Sequence, residues 1–410
     1  MKYLSKTLLA AGVAAALPGG ALAAGFGIAE QSTSALGSAF AGAGALSENP
    51  SNQWYNPATL SRLEGTQASL SASQVMIDTT FNSDVGNPPG DFEDVNSTVP
   101  SLYFSSALND RTTFGLGVNA PFGTKLEYED NWGGDNYATM SDLQSLNVNP
   151  SFAFEITSTL QFGIGLNYQK IEADLDNDIS RLEGKDKALG WNTGVLFEPA
   201  DGQRFGLSYR SKIDYEVNGD ITFKQGPLPA PAKPFAGKYP AETNITVPET
   251  WNLSYAGDVG EQSQVLFSAQ HREWSRLDSL VVNHQGPTPP FPNPSTEEFD
   301  WDNSQRYSLG FRHTLNNDTV LRAGYAHETT TQDDPEKRSA RVPDNNRDWL
   351  TLGATFNPVE RMSIDLGYAH VLVDDADVDR EPEPSQGLPG LEGTYELTAN
   401  IVSAQLNYKF

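Results

Sequence analysis

Residues 400–410 read NIVSAQLNYKF. Side chains of a strand point alternately to its two faces, so Val402, Ala404, Leu406, Tyr408 and Phe410 share one face and the residues between them share the other. The same period of two returns upstream. VLFSAQ sets Val265, Phe267 and Ala269 together. TVLRAGYAH sets Leu321, Ala323 and Tyr325 apart from Arg322 and Gly324. RMSIDLGYAH sets Met362, Ile364, Leu366 and Tyr368 against Ser363, Asp365 and Gly367. No helical stripe of comparable length competes. Two architectures accept such strands: a sandwich, which buries the apolar face, and a membrane barrel, which turns it to lipid and keeps the polar face inside.

Three features select the barrel. The strands reach about ten residues or more, the length a tilted strand needs to cross a bilayer. Tyr and Trp recur near strand ends, where interfacial girdles sit. The chain also stops on an aromatic, and Tyr408 with the terminal Phe410 resembles the assembly signal of bacterial outer-membrane barrels, which implies the barrel assembly machinery as a partner. Candidate strands fall at 66–78, 98–109, 112–120, 143–156, 159–173, 188–198, 203–223, 242–257, 263–283, 299–315, 319–331, 348–358, 361–373 and 395–410. The expected fold is therefore all-β, a transmembrane antiparallel barrel of about fourteen strands, even in number as bacterial barrels are. Short turns such as Asn316-Asn317 alternate with long Pro-rich stretches such as 225–241 and 286–296, the layout of periplasmic turns and extracellular loops.

The start of the chain agrees with export. Lys2 and Lys6 precede an apolar run, TLLAAGVAAAL, then a Pro-Gly-Gly break and Ala21-Leu22-Ala23. Residues 1–23 read as a secretory signal peptide. The formal charge of -26 argues against nucleic acid, which needs Lys and Arg patches. There is no cysteine and hence no disulfide framework. A mean hydropathy of -0.45 excludes a helical membrane protein.

Residues 24–65 do not alternate and are rich in Gly, Ala and Ser. A segment this long without strand character, in front of a barrel, reads as a plug folded into the lumen, leaving 66–410 for the wall. Its stretch NQWYNPATL holds Asn56-Pro57-Ala58. The whole start, from AGFGIAEQSTSALGSAF to NPATLSRLEGTQASLSAS, resembles the N-terminal hatch of the FadL family of outer-membrane long-chain fatty-acid transporters, which carries an Asn-Pro-Ala motif. GVNAPFGTKLEYEDNW (117–132), ITVPETWNLSY with REWSRLD, and VPDNNRDWLTLG resemble later family segments, in order and spacing.

The resemblance implies a monomeric barrel of the outer membrane, surrounded by lipid and lipopolysaccharide, that takes up fatty acids or monoaromatic hydrocarbons without a cofactor. A hatch movement would connect an inner pocket to a gap at a kink in the third strand. Asn56, Pro57 and Ala58 would face that kink. Gly115 and Gly117, inside the third candidate strand, are the expected place of the lateral opening, because Gly within a strand marks a bend or a close approach. Pro121, Phe122 and Trp132 are expected at the extracellular landing site. After Trp132 the chain reads Gly-Gly-Asp-Asn-Tyr where many relatives carry Gly-Arg-Tyr, which removes a cation and keeps a neutral hydrocarbon open as the ligand.

Other chemistries find less support. DDADVDR (374–380) alternates carboxylates but lacks the Gly and late Glu of a calcium loop, and reads as a solvated acidic loop, with divalent bridging to lipopolysaccharide as the alternative. The five histidines are scattered without metal-ligand spacing. A barrel hydrolase would need a Ser-His or Asp-His constellation on the rim, and His271, His313, His327 and His370 lie in candidate strands without flanking catalytic motifs. A diffusion porin has no use for the plug.

Overall fold

The computed structural model describes residues 24–84, 88–93, 96–226, 228, 230–316, 318–383 and 388–410; the expected signal peptide lies outside them. Strands β1 (Thr66–Ser83), β2 (Asn96–Asn109) and β3 (Thr112–Asn119) are followed by β4 (Gly123–Glu127), β5 (Met140–Thr157), β6 (Leu160–Asp176) and β7 (Ser180–Ala200). Then come β8 (Gln203–Arg210), β9 (Ile213–Phe223), β10 (Gly237–Val247), β11 (Thr250–Val259), β12 (Ser263–Arg272), β13 (Ser279–His284) and β14 (Ser295–Glu298). The last are β15 (Ser304–Asn316), β16 (Thr319–Glu328), β17 (Arg347–Val359), β18 (Met362–Val373), β19 (Ala376–Arg380) and β20 (Leu391–Lys409). Fourteen of these close into one antiparallel ring. The ring is sealed by β1 against β20, from Gln67↔Lys409 to Ser83↔Gly393. Closure joins the first wall strand to the last, so that neither is left as a free edge in lipid.

Each expected strand is present, and the departures have local causes. The stretches 203–223, 242–257 and 263–283 each divide in two. Pro248 cannot donate to a ladder and breaks one of them; a turn of 3-10 helix, Trp274–Arg276, breaks another. β7 begins at Ser180 rather than 188, because its added part stands above the apolar band and carries charge where a lipid-facing residue would be apolar.

The two faces of β20 settle barrel against sandwich. Val402, Leu406 and Tyr408 are 52, 43 and 40% exposed, whereas Ser403, Gln405 and Asn407 are buried. Apolar-out and polar-in is the inverse of a soluble core. The buried polar row meets the hatch: Thr33 N donates to Gln405 Oε1 at 3.1 Å, and the hydroxyls of Thr33 and Ser403 lie 2.5 Å apart. Among the described residues no helix is long and apolar enough to cross a membrane.

Every residue from Ala24 to Leu46 is buried inside the ring. Short helical pieces give this segment its shape: Thr33–Leu36 capped by Ser32, Pro50–Trp54 capped by Asn49, and Pro57–Arg62 capped by Asn56. Each cap oxygen accepts an orphan backbone N–H at a helix start. Ion pairs fix the segment to the wall. Glu48 meets Arg312 at 2.8 Å and Arg322 at 2.9 Å, and Arg62 meets Glu198 at 2.8 Å.

Candidate functional site

The third wall strand is interrupted. β3 pairs with β2 up to Leu102↔Val118 and with β5 up to Asn119↔Asn147. The chain then passes through Ala120-Pro121-Phe122 and resumes as β4, which pairs with β5 from Gly123↔Gln144 onward. β2 continues to Asn96 against β1, so its upper half has no wall neighbour on the β3 side. Pro121 explains the break: it has no N–H for the ladder and restricts the residue before it.

The hatch fills this gap with its own first residues. Gly27 forms a single antiparallel bridge with Phe122. Gly123 N donates to Phe26 O at 2.8 Å and Ile28 N donates to Pro121 O at 2.9 Å. Gln31 Nε2 donates to Ala120 O at 2.7 Å, and Ser101 of β2 donates to Gln31 O at 3.0 Å. Residues 26–31 thus stand where a wall strand would stand, held by a handful of hydrogen bonds rather than a full ladder.

Gly115 and Gly117 sit inside the paired part of β3, opposite Ser105 and Tyr103 on one side and Ser151 and Asn149 on the other. A β-carbon on Gly115 would meet Leu60 and Gln53 of the hatch at 2.5 and 2.6 Å. This glycine makes room for the hatch; the pairing ends four residues later.

Asn56-Pro57-Ala58 does not face the break either. Asn56 Oδ1 accepts from Ala58 N at 3.0 Å, while its Nδ2 donates to Gly44 O at 2.8 Å and to Val195 O of β7 at 3.0 Å. The motif rests on Gly163 of β6 and Gly194 of β7, where any β-carbon would overlap the Ala58 nitrogen or the Asn56 amide. It seats the hatch on the wall at β6 and β7.

Pro121 and Phe122 are placed at the break rather than at an outer mouth. Phe122 is buried against Phe26 and Trp274, with ring centroids 6.1 Å away in both cases. Behind it a small inner cavity is lined by Trp54, Tyr55, Arg210 and Arg272. Trp132 lies among the long loops and is buried, stacked on Tyr128 at 3.9 Å, with its Nε1 donating to Ala138 O at 2.7 Å. It braces the loop layer and does not line the ligand-sized space.

That space is a cavity of about 340 Å³ among the long loops, within the usual range for ligand pockets. Leu175, Leu182, Ile221, Phe223, Leu280 and Val282 form apolar walls. Lys337, Arg341 and Arg380 reach its edge. These residues come from five separate segments, and no contiguous motif in the sequence marks them.

The histidines assemble no hydrolytic site among the described residues. Ser263 Oγ lies 2.9 Å from His313 Nδ1, and Asp348 Oδ1 lies 2.9 Å from His327 Nδ1, but these are separate pairs. His271 meets Gln305 and His370 meets Asn400. Nor do three or more His, Cys, Asp or Glu side chains converge as metal ligands among those residues.

The profile of the family described as Outer membrane protein transport protein (OMPP1/FadL/TodX) matches residues 14–410. Outer membrane protein P1 of Haemophilus influenzae is 30% identical over 433 residues, covering 90% of each chain. The long-chain fatty acid transport protein of Escherichia coli K12 is 25% identical over 438 residues, covering 91% of this chain and 94% of that one. A crystal structure of a Pseudomonas aeruginosa FadL homologue superposes with a TM-score of 0.86 at 20% identity, covering 94% of this chain and all of that one. The Ralstonia pickettii toluene transporter TbuX superposes at 0.66 with 16% identity, covering 92 and 97%. The barrel is one of the bacterial outer membrane, and its relatives are transporters and channels rather than enzymes. The chain belongs to the OMPP1/FadL/TodX family of outer-membrane transport proteins.

Proposed function

We propose that this barrel takes up long-chain fatty acids and releases them sideways, through the break in the third strand, into the outer membrane. The observation that carries the reading is that hatch residues 26–31 bridge the break between β2 and β4 through only a few hydrogen bonds. A long acyl chain gains roughly 0.8 kcal/mol for each buried CH₂, so a route along apolar walls into lipid keeps that gain where an aqueous pore would forfeit it. The landing site is the loop cavity, whose apolar walls and edge cations suit an amphiphile with an acidic head. The ligand then moves to the inner cavity beside Arg210, Arg272 and Phe122. Asn56, Pro57 and Ala58 hold the fixed end of the hatch, and Pro121 and Phe122 frame the gate.

A second reading, uptake of monoaromatic hydrocarbons, draws on the fold shared with the toluene transporter and on the cation missing after Trp132. The arginines at the loop cavity favour the acid. The surrounding partners in this account are outer-membrane lipid and lipopolysaccharide, with Tyr408 and Phe410 presented to the assembly machinery and the barrel acting as a monomer. The test is equilibrium binding of labelled oleate and of toluene to the purified barrel, with single-channel conductance recorded in parallel. Oleate binding without an open conductance is expected; toluene binding alone selects the second reading, and a large steady conductance removes both.

A further inference from the structure

The wall has a second seam that no ladder closes. β7 pairs with β9 from Ser180↔Phe223 to Lys185↔Asn218, and with β8 from Asn192↔Arg210 to Ala200↔Gln203. Between those stretches, residues 186–190 and 213–217, all among the described residues, are joined by no ladder. The chain bends at Ser211-Lys212, between β8 and β9, and side chains take over the pairing at both ends of the seam. Glu216 N donates to Asp186 Oδ2 at 2.8 Å, and Trp191 N donates to Ser211 Oγ at 2.9 Å. Backbone groups that lose a ladder at membrane depth need such substitutes. Side chains also fill the opening: β-carbons on Gly184 and Gly190 would meet Val217 Cγ1 and Ile213 Cγ1, each at 2.7 Å.

On its inner side the seam carries Ile213, Tyr215 and Val217, all buried in the apolar cluster that also holds Phe26 and Phe122. Just above it the paired residues Leu182 and Ile221 line the loop cavity. On its outer side Leu189 is 62% exposed. Beneath the seam runs a row of rings, Trp191, Tyr209 and Trp251, with successive centroids 5.0 and 4.6 Å apart, the girdle of a bilayer surface. Charged residues begin directly above Leu189, so the seam lies at the head-group level of the outer leaflet. There Lys170 and Lys187 stand opposite each other, a pairing that repels unless an anion lies near. Lys170 is held by Glu172 at 2.5 Å, and Lys187 is left to receive a head group. The far rim carries Asp214, paired with Lys212 at 2.9 Å, and an exposed Glu216, so the head group belongs on the β7 side. Building on the uptake function proposed above, we infer that this seam is a second, membrane-side entrance: it admits the acyl chain of an anionic amphiphile already dissolved in the outer leaflet, with the head group at Lys187. Opening it breaks two side-chain hydrogen bonds and turns Ile213 and Val217 aside, rather than unzipping a ladder. A chain entering here reaches the apolar cluster without passing through water, and keeps the gain of each buried CH₂.

The test uses two photoactivatable probes with the same diazirine-tipped hexadecanoyl chain. One is the free acid, added from water; the other is a phosphatidylglycerol, confined to the vesicles that hold the purified full barrel. Adducts are located by mass spectrometry. The free acid is expected on Leu280 and Val282 of the loop cavity. The confined lipid is expected on Ile213, Tyr215 and Val217, besides the outward Leu189. Its labelling of the inner three should weaken in Lys187→Glu. It should be lost in an oxidised Gly190→Cys, Ser211→Cys barrel and return on reduction. A β-carbon on Gly190 would lie 3.0 Å from Ser211 Oγ, a spacing suited to a disulfide, and the chain has no other cysteine. In the wild type, which needs no variant to fold, confined lipid found on Leu189 but on none of the inner three overturns the inference. So does labelling of Phe26 and Phe122 without those three, which places entry at the β3 break, and so does labelling that neither the bridge nor Lys187→Glu reduces. Uptake stands in each case if the free acid marks the loop cavity. Absence of both probes from every inward side chain overturns the uptake reading and the inference with it.

Discussion

The carboxamide oxygen of Asn56 stands directly over the α-carbon of Gly194, so close that no side chain could be placed there. Gly206 on the next strand meets the carbonyl of Gly44 in the same way, and Gly163 on the preceding strand meets the backbone of Pro57 and Ala58. Three neighbouring wall strands thus present bare backbone to the hatch, and the Asn56 amide bonds across the interface to Val195 O. This seat holds the middle of the hatch close against the wall.

Gly194→Ala is expected to lift the hatch off its seat. The new methyl group must displace Asn56 or the strand, and overpacking of this kind costs about 1–3 kcal/mol. Limited proteolysis of the purified barrel should show faster cutting within residues 44–62, with the ring of strands still resistant. Unchanged proteolysis would mean that the seat is loose.

Asn56→Ala removes three hydrogen bonds at once. Loss of the cap on the Pro57–Arg62 turn costs about 1 kcal/mol, and the buried carbonyl of Gly44 loses the amide donor that Asn56 gives it, at about 1–3 kcal/mol. Hydrogen exchange of the amides around residues 44–60 should rise by at least tenfold while β1 and β20 keep their protection. Ligand binding at the loop cavity should persist, since none of its lining belongs to the hatch.

Glu48 gives the hatch a defined acid limit. Burial raises its carboxyl, but Arg322 and Arg312 prevail and hold it at about 2, below its ordinary 4.5. A depressed carboxyl contributes stability that is complete above the unfolded value and is lost as pH falls through the folded one. Docking of the hatch, followed by exchange or proteolysis, should therefore be constant from neutral pH down to about 4.5 and weaken progressively toward 2. Glu48→Gln should weaken it at neutral pH as well, by about 3–5 kcal/mol, because Arg322 is left buried beside it. A Glu48→Gln barrel with the acid profile of the wild type would contradict this assignment.

The sequence carries the architecture more openly than the site. Alternation, the terminal aromatic and the non-alternating start are local patterns, and each has its counterpart in the ring and the hatch. The top of β7 carries no apolar alternation, because Glu183, Lys185 and Lys187 take the outward positions there. In the third strand the sequence draws attention to Gly115 and Gly117, whereas the pairing stops just before Pro121, which has no N–H for the ladder. Glycine in a strand has several meanings, and at Gly115 it was the approach of Leu60. The loop cavity depends on which distant strands and loops are brought together, which no single stretch of sequence expresses. The partners of Asn56 are equally hidden, since a seat of glycines has no side chains to mark it.

The account stands or falls on whether the hatch must leave the wall for ligand to pass. The hydroxyls of Thr33 and Ser403 lie 2.5 Å apart, one on the hatch helix and one on β20, and the chain has no cysteine of its own. Thr33→Cys with Ser403→Cys should form a single disulfide of ordinary geometry. Uptake of labelled oleate by cells carrying the double variant is then measured before and after reduction. The account predicts that the oxidised barrel still binds oleate but delivers none, and that reduction restores uptake to the wild-type rate. Wild-type uptake through the oxidised, cross-linked barrel would contradict it.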